Sequence, residues 1–110
     1  MAFTPYHNIL GATARETELV AIGDLPRGGI KSIQLTNIHS SAAAAISLYL
    51  YKDSTDTTSD ETYYFMKAYA LAAKTYLILD NIHLLGFDNS TYSLHIEVGG
   101  SDTVDVMIRK

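Results

Sequence analysis

The chain has 110 residues, no cysteine and a formal net charge of −4. That length fits one domain able to bury roughly two-thirds of its unfolded surface, and the lack of cysteine excludes disulfides and thiolate metal sites. Lys and Arg form no run, which argues against nucleic-acid binding, and no apolar run approaches the roughly 18 residues of a membrane span.

The start, Met1-Ala2-Phe3-Thr4-Pro5, lacks the charged lead and apolar core of a signal peptide, so the chain is expected to stay where it is synthesised. Charged residues make up only 18% while tyrosines number eight, a balance that favours extensive surface contacts.

In chain order, Phe3–Gly11 contains Pro5 and reads as an arm or an edge strand. Gly11–Glu16 is small and polar, a loop. Glu18–Ile22, with Leu19, Val20 and Ile22, is a short strand. Gly23–Gly29 clusters Gly, Asp and Pro and gives the strongest turn signal. In Ile30–Ile38, Ile33 and Leu35 alternate with Ser32, Gln34 and Thr36, the period of a half-buried strand. Ala43–Lys52 alternates Ile46, Leu48 and Leu50 against Ser47, Tyr49 and Tyr51, so a strand is preferred despite its alanines.

Asp53–Glu61 carries no apolar residue and reads as an exposed acidic tip. Thr62–Asp80 fits two patterns. Two strands, Thr62–Leu71 and Thr75–Leu79, about a turn at Ala72-Ala73-Lys74 are preferred, because every neighbouring segment is a strand. One helix packed on the sheet is the alternative. Asn81–Asn89 holds Ile82, Leu84, Leu85 and Phe87 before a turn at Asp88-Asn89-Ser90. At the end, Tyr92–Val98 and Thr103–Arg109 both alternate with period 2, and Gly99-Gly100-Ser101-Asp102 predicts a hairpin between them. Seven or eight short strands with polar turns predict an all-β domain, an antiparallel β-sandwich or jelly-roll-like barrel.

No residues form a recognisable catalytic pattern. A Gly-x-Ser-x-Gly turn and a phosphate-binding glycine loop are both absent from the sequence, and no cofactor is expected. His7, His39, His83 and His95 do not pair at ligand spacing on one element. Asp53, Asp56, Asp60 and Glu61 could offer oxygens to Ca²⁺, but the loop lacks the glycine and register of a calcium loop. A solvated tip that discourages edge pairing is the plainer reading. Tyr49 and Tyr51 share the face opposite Ile46, Leu48 and Leu50. Exposed, that face would suit a protein partner or a stacked sugar ring; alternatively the same domain covers it.

Lys31–Asn37, Ile46–Tyr51, Ala72–Leu79, Tyr92–Val98 and Asp102–Arg109 together resemble small virion proteins of tailed bacteriophages, of the β-sandwich decoration or accessory kind. Such proteins often show a strand ending in Thr-Asn, a second strand rich in Leu and Tyr, a late alanine-turn-leucine strand and a terminal Val-Asp-Val hairpin. Ala72-Ala73-Lys74 departs from the pattern, which usually has Pro or Gly there. The resemblance implies a non-enzymatic capsid decoration or cement protein, or a tail or neck component, located in the virion. Its implied partners are the major capsid protein or other virion proteins and further copies of itself, with neither nucleic acid nor membrane. On that reading Tyr6, His7, Tyr49 and Tyr51 are the expected contact residues, and Met1–Gly11 an arm that orders on assembly.

Overall fold

The computed structural model describes residues 5–13, 15–24, 29–52, 61–80, 87–100 and 102–109. Their regular structure is entirely β: β1 (Tyr6–Leu10), β2 (Glu16–Val20), β3 (Ser32–Asn37), β4 (Ala44–Lys52), β5 (Glu61–Leu71), β6 (Tyr76–Leu79), β7 (Ser93–Val98) and β8 (Thr103–Arg109). The two strands expected within Thr62–Leu79 are therefore present, and the helix alternative is not. β1 is an edge strand, which decides residues 6–10 between the arm and strand readings.

The pairing is nested. β1 pairs with β8, β2 with β7, β3 with β6 and β4 with β5, all antiparallel. Two further pairs, β3 with β8 and β4 with β7, join these ribbons into four-stranded sheets ordered β1-β8-β3-β6 and β2-β7-β4-β5. An antiparallel ribbon folded across two sheets in this order is a jelly roll.

The period-2 pattern explains why the sheets face each other. Ile9, Ile33, Leu35, Val104, Val106 and Ile108 from the first sheet meet Leu19, Val20, Ile46, Leu48, Leu94, Ile96 and Val98 from the second in one buried cluster. Each fully buried Leu, Ile or Val side chain contributes about 1.5–3 kcal/mol, so this shared core dominates the stability.

One expectation is overturned. β7 and β8 do not form a hairpin; they lie in different sheets, and the Gly99–Asp102 link crosses between them. Both strands have one apolar face, and a strand crossing to the opposite sheet shows the same alternation as one turning back. The link is held by Asp102, whose Oδ2 accepts from the Gly99 N–H at 2.8 Å and the Ala45 N–H at 3.0 Å. Gly11 N donates to the Asp102 carbonyl at 2.9 Å. Among sequence neighbours only β4 and β5 pair directly.

β2 begins and ends two residues earlier than Glu18–Ile22. Apolar content pointed to Ile22, yet an edge strand tolerates charge on its outer side, and Glu16 and Thr17 extend the pairing with β7. A bulge between Glu18 and Val20 turns the consecutive residues Leu19 and Val20 into the core. β5 has 11 residues against 9 in β4; the difference, 11 − 9 = 2, is taken up by two bulges. At one of them Ala68 has φ 52°, and its N–H donates to the Ser47 Oγ at 2.9 Å.

Asn37 ends β3 fully buried and joins the two sheets. Its Nδ2 donates to the Ala42 and Leu71 carbonyls, both at 2.9 Å, and its Oδ1 accepts from the His39 N–H at 3.0 Å. The turn at Ala72-Ala73-Lys74 closes beside it without Gly or Pro, because Lys74 takes φ 60° and donates its N–H to the Asn37 carbonyl. The acidic stretch 53–60 lies outside the described residues, and so does His83.

Candidate functional site

Cross-strand partners share a sheet face, so register decides which side chains meet. On the β2-β7-β4-β5 sheet, Glu18 pairs with His95, His95 with Tyr49, and Tyr49 with Tyr64. These four residues form one row across the outer face. Glu16 and Glu97 pair in the next row on one side, and Tyr51 and Thr62 on the other.

The rings pack closely. Tyr49 and His95 stack with centroids 5.6 Å apart and planes 16° off parallel. Tyr51 meets His95 edge-on at 5.4 Å, and Tyr64 leans on Tyr49 at 5.3 Å. The Lys67 ammonium lies 5.0 Å from the Tyr64 ring centroid, within cation–π range. Between these groups is an open cleft of about 450 Å³, lined by Glu16, Tyr49, Tyr51, Thr62, Tyr64, His95 and Glu97.

Burial differs within the group. Tyr49 is only 7% exposed, whereas Tyr64 is 44% exposed. Among the described residues the second face of β4 is thus neither a flat aromatic platform nor covered by a separate part of the domain. Its own cross-strand neighbours cover Tyr49, and Tyr64 forms the exposed wall.

Protonation follows from these surroundings. The Tyr49 hydroxyl donates to Glu16 Oε2 at 3.2 Å. Burial first, then the Glu16 carboxylate, push its ionisation well above the usual tyrosine range. Ser93 Oγ donates to the Tyr51 carbonyl at 3.2 Å and lies 2.8 Å from His95 Nε2. Burial lowers the His95 pKa, and the nearby Glu18 and Glu16 carboxylates oppose that shift without cancelling it. The ring is therefore neutral near pH 7, and its 3.7 Å approach to Glu18 Oε2 is not an ion pair there.

The four expected contact residues divide between the two sheets. Tyr49 and Tyr51 join the cleft. Tyr6 and His7 lie on β1, in the other sheet, and they point to opposite faces: Tyr6 pairs with the outward Met107, His7 with the buried Val106. The register, not the sequence, adds Tyr64, Glu16 and Glu97. In Tyr92–Val98 the period-2 alternation puts His95 and Glu97 on the face opposite Leu94 and Ile96, but it does not put them beside Tyr49.

The remaining candidates act locally. His39 Nδ1 accepts from the Ser41 and Ala42 N–H groups, each at 3.1 Å. Glu61 starts β5, where its carboxylate accepts from the Tyr63 hydroxyl at 2.8 Å and meets Lys52 Nζ at 3.4 Å. The Tyr63 hydrogen bond, above all, lowers the Glu61 pKa, and the same bond raises Tyr63 to about 12. Among the described residues no group of three or more His, Asp or Glu side chains could hold a metal ion, and no helix is long and apolar enough to cross a membrane.

The outer face of the β1-β8-β3-β6 sheet differs in character. Tyr6, Met107, Gln34 and Ile78 form one row, and Asn8, Asp105, Thr36 and Tyr76 the next. Tyr6 is 69% exposed, Tyr76 63% and Ile78 47%. Asp105 accepts from the Asn8 amide at 2.7 Å. Comparison with protein-family models, with curated proteins and with solved structures returns no match.

Proposed function

We propose that the protein is a non-enzymatic virion structural protein, a capsid decoration protein that binds the major capsid lattice of a tailed phage as an oligomer. The observation that carries this reading is the outer face of the β1-β8-β3-β6 sheet. Tyr6, Tyr76, Ile78 and Met107 are large, exposed and spread over two adjacent rows of it. Contiguous exposed apolar surface marks an interaction site. Asp105 is the one acidic residue within the two rows, and Asn8 holds it. Two rows with so little charge form contacts that salt screens weakly, which suits a particle that meets varied media. The resemblance in strands β3, β4, β6, β7 and β8 supplies the identity of the partner. Several copies of the face on one oligomer would let moderate contacts hold together, provided they engage at once.

The test is co-sedimentation with particles from the same source, paired with light scattering on the purified chain. A closed oligomer that sediments with particles is expected. Ile78→Asp combined with Tyr6→Ser should leave the fold intact, since both side chains point outward, and should leave the protein in the supernatant. A wild-type chain that ignores particles, or a double variant that still sediments, overturns the reading. Deleting Met1–Gly11 is a poorer test, because it strips β1 from Val104 and Val106.

A further inference from the structure

We propose that the cleft on the outer face of the β2-β7-β4-β5 sheet is a binding site for a neutral sugar ring. This goes beyond the capsid reading and does not rest on it, because the two surfaces lie on opposite sheets. The cleft's volume of about 450 Å³ falls within the roughly 300–1,000 Å³ of small-molecule sites.

The lining has the two kinds of group that a sugar needs. Tyr51, and the part of Tyr64 that Tyr49 and Lys67 leave open, offer apolar ring surface to the C–H face of a pyranose. Glu16, Glu97 and the Thr62 hydroxyl supply acceptors at the margin for ring hydroxyls. Tyr49 is pinned by Glu16, and His95 by Ser93, so the floor is fixed before any ligand arrives.

A second observation points the same way. Glu16 and Glu97 are direct cross-strand partners, two carboxylates on one face. Like charges placed opposite each other destabilise a sheet, so the free protein carries a cost here. Hydroxyl donors bridging the two carboxylates would disperse that charge.

The charges also set the ligand class. Glu16, Glu18 and Glu97 surround a neutral His95, so uronic and sialic acids are repelled. The Lys67 ammonium beside the Tyr64 ring places a positive charge at the cleft that opposes a second cation. An uncharged pyranose is what remains.

The test is amide chemical-shift titration of the whole chain. The probes are the methyl glycosides of glucose, galactose, mannose and N-acetylglucosamine, with methyl glucuronide and methylguanidinium alongside. At least one neutral glycoside should saturably shift the amides of Tyr64, His95 and Glu97. Methyl glucuronide should bind at least tenfold more weakly. Tyr64→Ala should weaken binding tenfold or more, and Tyr76→Ala on the other sheet should not. Glu97→Gln should weaken binding while raising thermal stability, a split that a purely structural role would not give. A blank across all four neutral glycosides overturns the proposal. So does tighter binding of methylguanidinium, or unchanged affinity in both Tyr64→Ala and Glu97→Gln. Failure to sediment with particles would leave the proposal standing.

Discussion

The Tyr49 hydroxyl reaches Glu16 at 3.2 Å although their strands, β4 and β2, are separated by β7. One hydrogen bond thus spans three strands and holds the edge strand to the centre of its sheet. Tyr49→Phe should cost about 1 kcal/mol, the usual net worth of such a bond, read as a lower urea midpoint with an unchanged slope. The alkaline limb should change as well. Folding raises the Tyr49 pKa, so the neutral phenol is favoured in the native state. That contribution is complete below the ordinary value near pH 10 and is lost as pH rises above it. Tyr49→Phe should therefore flatten part of the alkaline decline. Ultraviolet titration of the wild type should show Tyr49 and Tyr63 ionising above the ordinary tyrosine range.

His95 gives the opposite limb. Its folded pKa is depressed below the ordinary 6.5, so the unfolded chain takes up the proton first. Stability should be flat above that value and fall as pH drops through it. His95→Gln keeps a hydrogen-bonding side chain and removes the titration. Urea unfolding at about pH 7 and about pH 5 should show a smaller difference in the variant than in the wild type. Equal differences would mean that burial does not control this imidazole.

Much of the fold is legible in the alternation. Ile33 and Leu35, Ile46 and Leu48, Leu94 and Ile96, and Val104 and Val106 are all buried as period 2 predicts. What alternation cannot carry is the partner of each strand. β7 and β8 read as a hairpin because a crossing and a turn leave the same pattern, and only the Asp102 contacts to Gly99 and Ala45 show the corner. The cleft has the same difficulty. Tyr49 and Tyr51 stand out on one strand, but Tyr64 and Glu16 join them through register set by bulges in β5 and β2. A bulge has no fixed residue signature; Ala68 takes its positive φ without being glycine.

Asn37 tests the join between the sheets. Asn37→Ala would leave the Ala42 and Leu71 carbonyls and the His39 N–H without their partner. Each buried polar group so orphaned costs about 1–3 kcal/mol, although solvent near Ala42 and His39 softens two of the three. A loss of about 2–4 kcal/mol is expected by urea unfolding. Asn37→Asp should do no better, since it keeps the acceptor, loses both donors and buries a charge.

Lys74 should reward the reverse change. Its φ of 60° is costly for a residue with a Cβ and free for glycine. The side chain is exposed, so little packing is lost. Lys74→Gly should raise stability by up to about 1 kcal/mol, the strain relieved less the entropy added to the unfolded chain. A drop in melting temperature would mean that the Lys74 side chain does more than the backbone argument allows.

Gly11 and Gly100 make a controlled pair at the same corner. A Cβ at Gly11 would fall onto the Gly99 carbonyl oxygen, which is backbone and cannot swing aside. Gly11 also donates its N–H to the Asp102 carbonyl, so moving its backbone away breaks that bond. A Cβ at Gly100 meets nothing within 4 Å. Gly11→Ala should therefore lose about 3 kcal/mol or more, or fail to fold, and Gly100→Ala should stay within about 0.5 kcal/mol of wild type. Both variants change the unfolded chain in the same way, so the difference between them reports the native corner alone. Similar melting temperatures for the two would mean that the β1–β2 and β7–β8 links do not pack at this distance in solution.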